Sequence, residues 1–211
     1  MMRGKFIALE GGEGTGKSTQ ARLLAAALEK NGIQCIVTRE PGGTDGAEAI
    51  RSLLLSPPGS GWGAKAEALL FAAARSDHVE KLIRPNIERG AWVICDRYLD
   101  SSRAYQGGAG GIGDEAIIKL HAIGSDGMLP DLTLLIDVPA DQIAARLQQR
   151  DGDVSDAIGG RGVEYHSAVA QTFKTIASAE ANRFATINGA GTPEEVHHAI
   201  LAVVQQNLGG K

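Results

Sequence analysis

Residues 11–18 read Gly11-Gly12-Glu13-Gly14-Thr15-Gly16-Lys17-Ser18, and this run fits the phosphate-loop pattern G-x-x-x-x-G-K-[ST]. An apolar stretch ending at Glu10 precedes it and a helical pattern opens at Lys17, which is the strand–loop–helix context the pattern requires. The glycines let backbone N–H groups curl around phosphate oxygens. The helix start adds unpaired donors and partial positive charge. Lys17 reaches the outer phosphates, the Ser18 hydroxyl is placed for Mg²⁺, and Thr19 completes the candidate ATP-binding set from Gly11 onward. The loop establishes nucleoside triphosphate binding and leaves the reaction open. A guanine-reading Asn-Lys-x-Asp element is absent from the sequence, which counts against a GTPase.

Outward from the loop, strand-like and helix-like patterns alternate to the C-terminus, as in βαβ units with a mainly parallel sheet. Strands are expected at Lys5–Glu10, Ile33–Thr38, Ala91–Cys95, Leu132–Val138 and Phe184–Ile187. Several are apolar on consecutive residues, as when helices cover both faces. Helices are expected at Lys17–Lys30, Ala47–Leu55, Ala64–Ser76, Asp77–Arg89, Asp114–Ile123, Ala140–Gln149, Val163–Ala181 and Pro193–Asn207, with a kink or break at Pro85. Residues 106–113 are glycine-rich and read as mobile, and residues 151–162 read as a lid between two helices.

The 211 residues suit one α/β domain. A hydrophobic share of 43% and a charged share of 22% are globular values. A formal net charge of −4 argues against duplex nucleic acid as a partner, while a local arginine cluster still suits a small anion. Cys35 and Cys95 lie in short apolar runs and read as reduced core thiols of a cytosolic protein. No run of about 18 apolar residues occurs, and the N-terminal apolar stretch is too short for a signal peptide, so a soluble intracellular chain is expected.

Three further stretches point to an acceptor for the phosphoryl group. In Trp92-Val93-Ile94-Cys95-Asp96-Arg97-Tyr98 an apolar strand ends on an acid, where a magnesium-associated carboxylate would sit. On extended backbone the next residue points the other way, so Asp96 would face the metal and Arg97 a second phosphate. Thr38-Arg39-Glu40-Pro41-Gly42-Gly43-Thr44 follows the second strand, with Arg51 on the next helix. Arg39, Arg51 and Arg97 suit bidentate phosphate contacts at one sheet edge. Phe71 and Arg75 share a helix face, where one ring stacks on a base and the guanidinium meets its edge; Phe71 as plain core is the competing reading. A switch ATPase with no small acceptor, or a kinase for dUMP or CMP, remains open at this point.

Taken in order, Gly-Gly-Glu-Gly-Thr-Gly-Lys-Ser, Thr-Arg-Glu-Pro-Gly-Gly-Thr, Arg-Ser-Leu-Leu-Leu, Leu-Phe-Ala-Ala-Ala-Arg and Asp-Arg-Tyr-x-x-Ser-Ser-x-Ala-Tyr-Gln-Gly resemble the bacterial thymidylate kinases. The resemblance runs from about Lys5 to Val138 on strong motifs and continues more weakly to the C-terminus. It implies transfer of the γ-phosphoryl group of ATP to dTMP with Mg²⁺, a step toward dTTP, on a five-stranded parallel sheet, in a cytoplasmic homodimer. Carried over, Arg97, Arg39 and Arg51 hold the dTMP phosphate beside Pro41, Phe71 stacks on thymine and Arg75 reads its carbonyl edge. Ser101, Ser102, Tyr105 and Gln106 line the base and sugar pocket, and Glu10 lies near the sugar hydroxyl or the magnesium shell.

Two departures stand out. Some thymidylate kinases carry a catalytic arginine at the position of Gly14, so here the resemblance assigns that task to the lid. The lid pattern, an Asp-Arg pair followed by an acid, is altered: Asp156-Ala157 stands where Asp-Arg is expected. Arg150 and Arg161 are the favoured candidates and Arg146 is a third. After the last strand, Ile187-Asn188-Gly189-Ala190-Gly191 replaces a stretch that more often holds an acid and borders adenine.

Overall fold

The computed structural model describes residues 3–151 and 157–209. Five short strands form one sheet: β1 (Phe6–Glu10), β2 (Cys35–Arg39), β3 (Trp92–Asp96), β4 (Leu132–Asp137) and β5 (Phe184–Asn188). All neighbours run parallel, in the spatial order β2-β3-β1-β4-β5. The expected fold class, a five-stranded parallel sheet with helices on both faces, is the one that forms.

β1 shows why the apolar runs are continuous. Ile7 and Leu9 pack on one face against Leu24 and Leu28 of α1 (Lys17–Lys30) and Val196 and Ile200 of α9 (Pro193–Leu208). Phe6 and Ala8 pack on the other with Val79, Ile83, Ile87 and Tyr98. Alternate residues thus serve opposite layers. Each fully buried Leu, Ile or Phe side chain contributes about 1.5–3 kcal/mol. A third cluster joins Tyr105 and Leu135 to Val169, Phe173 and Ile176 of α8 (Val163–Ala179).

Helix ends are built for different tasks. α9 starts in a capping box between Thr192 and Glu195, with Pro193 just inside, so its first N–H groups are partly met within the protein. α1 starts at Gly16 in a left-handed conformation with no side-chain cap, which leaves its first-turn donors to the loop side. α2 (Asp45–Leu55) is capped by Thr44, whose oxygen accepts from the Ala47 N–H.

The break expected at Pro85 takes the form of a wider turn. α3 (Ala64–His78) runs into a π-helical turn at Val79–Ile83 and then α4 (Arg84–Glu88). Pro85 falls in the first turn of α4, where a missing N–H costs little. The linker-like reading of 106–113 needs correction over its first half. α5 (Leu99–Ser102) continues into a π-helical turn at Arg103–Ala109 that packs on α6 (Asp114–Ser125) and α8. Glycine is there for contact: a Cβ on Gly108 would lie 2.4 Å from the Thr172 hydroxyl. Within the expected lid, α7 (Ala140–Asp151) precedes the segment and residues 157–160 form turns; residues 152–156, Asp156 among them, and the side chain of Arg150 lie outside the described residues. Among the described residues no helix is long and apolar enough to cross a membrane.

Candidate active site

One cavity of about 580 Å³ opens along the carboxyl edge of the sheet. Lys17, Ser18 and Thr19 line its loop side, together with Asp96 at the end of β3. The Ser18 hydroxyl donates a hydrogen bond to the Asp96 carboxylate. Lys17 Nζ donates to the carbonyls of Gly11 (3.2 Å) and Gly12 (2.5 Å) and to the Thr15 hydroxyl (3.3 Å). Burial, with Arg97 nearby, lowers the Lys17 amine to about 8. Burial and the neighbouring Arg97 thus work against the ammonium charge, and the carboxylates of Asp96, Glu13 and Glu10 work for it.

Arg97 is the hinge between the two sides. The expected alternation at the strand end does not describe it: its φ is 70°, a left-handed conformation that an arginine adopts only under strong local constraint. The chain turns out of the strand there, so Arg97 and Asp96 border the same cavity. Its guanidinium donates to Gly11 O (2.9 Å), Ser101 Oγ (3.1 Å), Glu13 Oε1 (2.8 Å) and Tyr105 Oη (3.2 Å), and its Cζ lies 5.1 Å from the centre of the Tyr105 ring. Burial opposes its charge, but Tyr105, Glu13, Asp96 and Glu10 outweigh that and hold it firmly cationic.

The other expected acceptor residues gather on the same cavity. Arg39 and Arg51 border it, the first paired with Glu48 (3.0 Å) and the second donating to Pro41 O (2.8 Å). Phe71 and Arg75 line one wall, one helical turn apart on α3, and Pro41, Ser101, Ser102, Tyr105 and Gln106 complete it. The loop positions Glu13, Gly14 and Gly16 line it too, whereas Gly11, Gly12 and Thr15 form the loop behind.

Two further expected residues, among those with described side chains, stand apart from that cavity. Glu10 is fully buried behind Ser101 and accepts from the Tyr98 N–H (2.8 Å), the Ser101 N–H (3.1 Å) and the Ser101 hydroxyl (2.6 Å). Burial and the neighbouring Asp100 push its carboxyl up to about 7. Arg161 lines a second, smaller cavity, where it pairs with Glu67 and donates to the Tyr165 hydroxyl (2.6 Å). Gln106, which donates to the same Glu67 (2.9 Å), borders both cavities. Arg150 has no described side chain. Arg146, by contrast, lines the main cavity and donates to Gly189 O (2.9 Å), in the loop expected to border adenine.

Some cavity residues carried no separate sequence signal. Glu40 was visible only as part of the Thr-Arg-Glu-Pro motif, and Arg22, Leu55 and Ile158 lie in ordinary helix or loop context. Glu40 is buried and bound by partners 35 and 38 residues away in sequence, on α3. A local motif does not report such a pairing.

A phosphate loop facing three guanidiniums and an aromatic wall across one cavity defines a phosphotransferase with a nucleotide-sized acceptor. The comparisons narrow that class. The thymidylate kinase family model matches residues 9–200, and the chain belongs to that family. It is 59% identical over 207 residues to the thymidylate kinase of Rhizorhabdus wittichii, covering 98% of this chain and 100% of that one. Identity to the thymidylate kinase of Rhodopseudomonas palustris is 47% (98% and 91% covered), and to that of Bradyrhizobium sp. 42% (98% and 92%).

Proposed function

We propose a division of labour within a reaction that passes the γ-phosphoryl group of ATP to dTMP, forming dTDP and ADP. What carries it is the single cavity that joins Lys17, Ser18 and Asp96 to Arg39, Arg51, Arg97, Phe71 and Arg75. The loop from Gly11 to Thr19 holds the triphosphate. Arg97, flanked by Arg39 and Arg51, holds the acceptor phosphate, and Phe71 with Arg75 receives thymine. Ser101, Ser102, Tyr105 and Gln106 shape the base and sugar pocket, with Glu10 bracing Ser101 from behind. The acceptor phosphate is already a competent nucleophile at neutral pH, so positioning and charge neutralisation supply the rate.

The donor set suits Mg²⁺: a hydroxyl and a carboxylate, both hard oxygen ligands, meet at Ser18 and Asp96, and Mg²⁺ takes few protein ligands beside phosphates and water. Bound there, the ion neutralises charge on the outer phosphates. Lys17 and Arg97 do the same from the protein side. A lid arginine, Arg150 or Arg161, meets the transferring group; Arg161 does so only by leaving Glu67. The chain works as one kinase domain with a lid near 150–162, in the cytoplasm, as a homodimer and without nucleic acid or membrane partners. Leu69 on α3 and Ile123 on α6, 56% and 82% exposed on two helices that pack together, support the dimer.

Product analysis tests the reaction itself. Incubation with ATP, dTMP and Mg²⁺ is expected to yield dTDP and ADP one for one. ADP with inorganic phosphate, at a rate indifferent to dTMP, would instead mark a switch ATPase.

A further inference from the structure

Behind the base wall lies a chain of buried polar groups that the phosphoryl transfer does not use. Arg75 Nε donates to Glu40 Oε2 at 2.7 Å, and Glu40 Oε1 faces His78 Nδ1 at 3.0 Å. His78 Nε2 lies 2.8 Å from the Thr38 hydroxyl. Exposure is 3% for Arg75, 5% for Glu40 and 0% for His78, so water does not compete for these bonds. Arg75 and His78 hold the Glu40 carboxyl below its ordinary value in spite of burial, so it stays ionised and can only accept. His78 Nδ1 therefore carries the proton of that bond.

The turn seals the arrangement. Gly43 has a φ of +90°, and a Cβ there would lie 2.5 Å from the Thr38 hydroxyl and 2.6 Å from His78 Nε2. On the other side, Arg75 Nη2 donates to Tyr98 O (3.1 Å) and Ser102 Oγ (2.9 Å). Among the described residues, Nη1 takes part in no hydrogen bond, and the guanidinium borders the cavity beside Phe71. A guanidinium offers donors only. Held in one place, it suits a ring carbonyl and opposes a ring amino group, because a site built for one hydrogen bond rejects the analogue that leaves its groups unpaired.

We propose that Glu40 and His78, anchored on Thr38, are positioning residues that fix Arg75 so that the cavity takes a pyrimidine monophosphate with a carbonyl there and refuses one with an amino group. This rests on Arg75 reading the base. Glu40 and His78 act through Arg75, and their effect belongs to acceptor selection, leaving ATP binding alone.

The test compares dTMP with 5-methyl-dCMP, which keeps the methyl group and exchanges the carbonyl for an amino group. Glu40→Gln and His78→Leu are each expected to raise KM for dTMP and to lower the dTMP preference in kcat/KM by about tenfold or more. KM for ATP stays within about twofold, because the anchor meets the donor side only through its main chain, the Glu40 N–H donating to Asp96 O (3.0 Å), which side-chain substitutions leave in place. His78→Asn, which keeps an N–H near the Nδ1 position, restores most of the preference. Should Glu40→Gln melt below the assay temperature, Glu40→Asp and the two His78 variants carry the same comparison. An unchanged preference in folded Glu40→Gln and His78→Leu overturns the proposal, as does a parallel loss for both monophosphates and ATP. Arg75→Met, which removes every donor, separates the layers. If it leaves the preference intact, base reading by Arg75 is wrong and the anchor falls with it. If it abolishes the preference while the Glu40 and His78 variants keep it, only the anchor is wrong.

Discussion

The two sides of the cavity are held by different means. On the acceptor side most of the holding is by side chains, Arg75 by Glu40 and Ser102, Arg97 by Glu13, Ser101 and Tyr105, Ser101 by Glu10, with one main-chain carbonyl each for Arg51, Arg75 and Arg97. On the donor side the backbone does most of the holding. Lys17 and Arg146 both donate to main-chain carbonyls, and α1 presents uncapped N–H groups to the loop. Every triphosphate shares the same phosphate chemistry, so backbone suffices there. A particular base and monophosphate need particular side chains, and their orientation costs conformational entropy that buried pairing must offset.

That contrast is easiest to break at Arg97, which we assign to the acceptor and which also touches Gly11 of the loop. Arg97→Ala is expected to lower kcat/KM for dTMP by about 10³-fold, given what arginines contribute in phosphoryl transfer, while ATP still binds. Calorimetric titration with an ATP analogue and with dTMP decides it: simultaneous loss of both affinities would mean that Arg97 props up the loop, and the two sides are not separable. A smaller effect sharpens the lid. Arg161→Ala is expected to lower kcat by about tenfold or more with a lesser rise in KM for dTMP, as for a group acting mainly in the transition state. Steady-state kinetics with an unchanged kcat would assign Arg161 to bracing Glu67 and leave the chemistry to Arg150.

The same contrast explains what was legible in the sequence. The phosphate loop is contiguous, and each residue acts within its own turn, so Gly11 to Ser18 could be read without the fold. Helical spacing put Phe71 and Arg75 on one face, but it left Phe71 open between core and base platform, and only the family resemblance chose the second. Glu40 and His78 were not legible, since their meaning lies in contacts between a loop after β2 and a helix in the next unit. Arg97 was placed on the acceptor, but by an alternation rule that its left-handed backbone breaks. The glycines of 106–109 looked like a linker because composition does not distinguish flexibility from close packing; Gly108 against Thr172 is the latter. At the lid, Ala157 removed the expected arginine, and the spacing of Arg150 and Arg161 offered no substitute rule.

The central claim is that this cavity selects one monophosphate as well as binding ATP. Measuring kcat/KM by coupled ADP release with dTMP, dUMP, CMP and GMP tests it most directly. The account predicts that dTMP is turned over with an efficiency at least about tenfold above each of the others, in line with what a single missing methyl or mispaired base edge costs. Equal turnover of dTMP and any of the other three would contradict it.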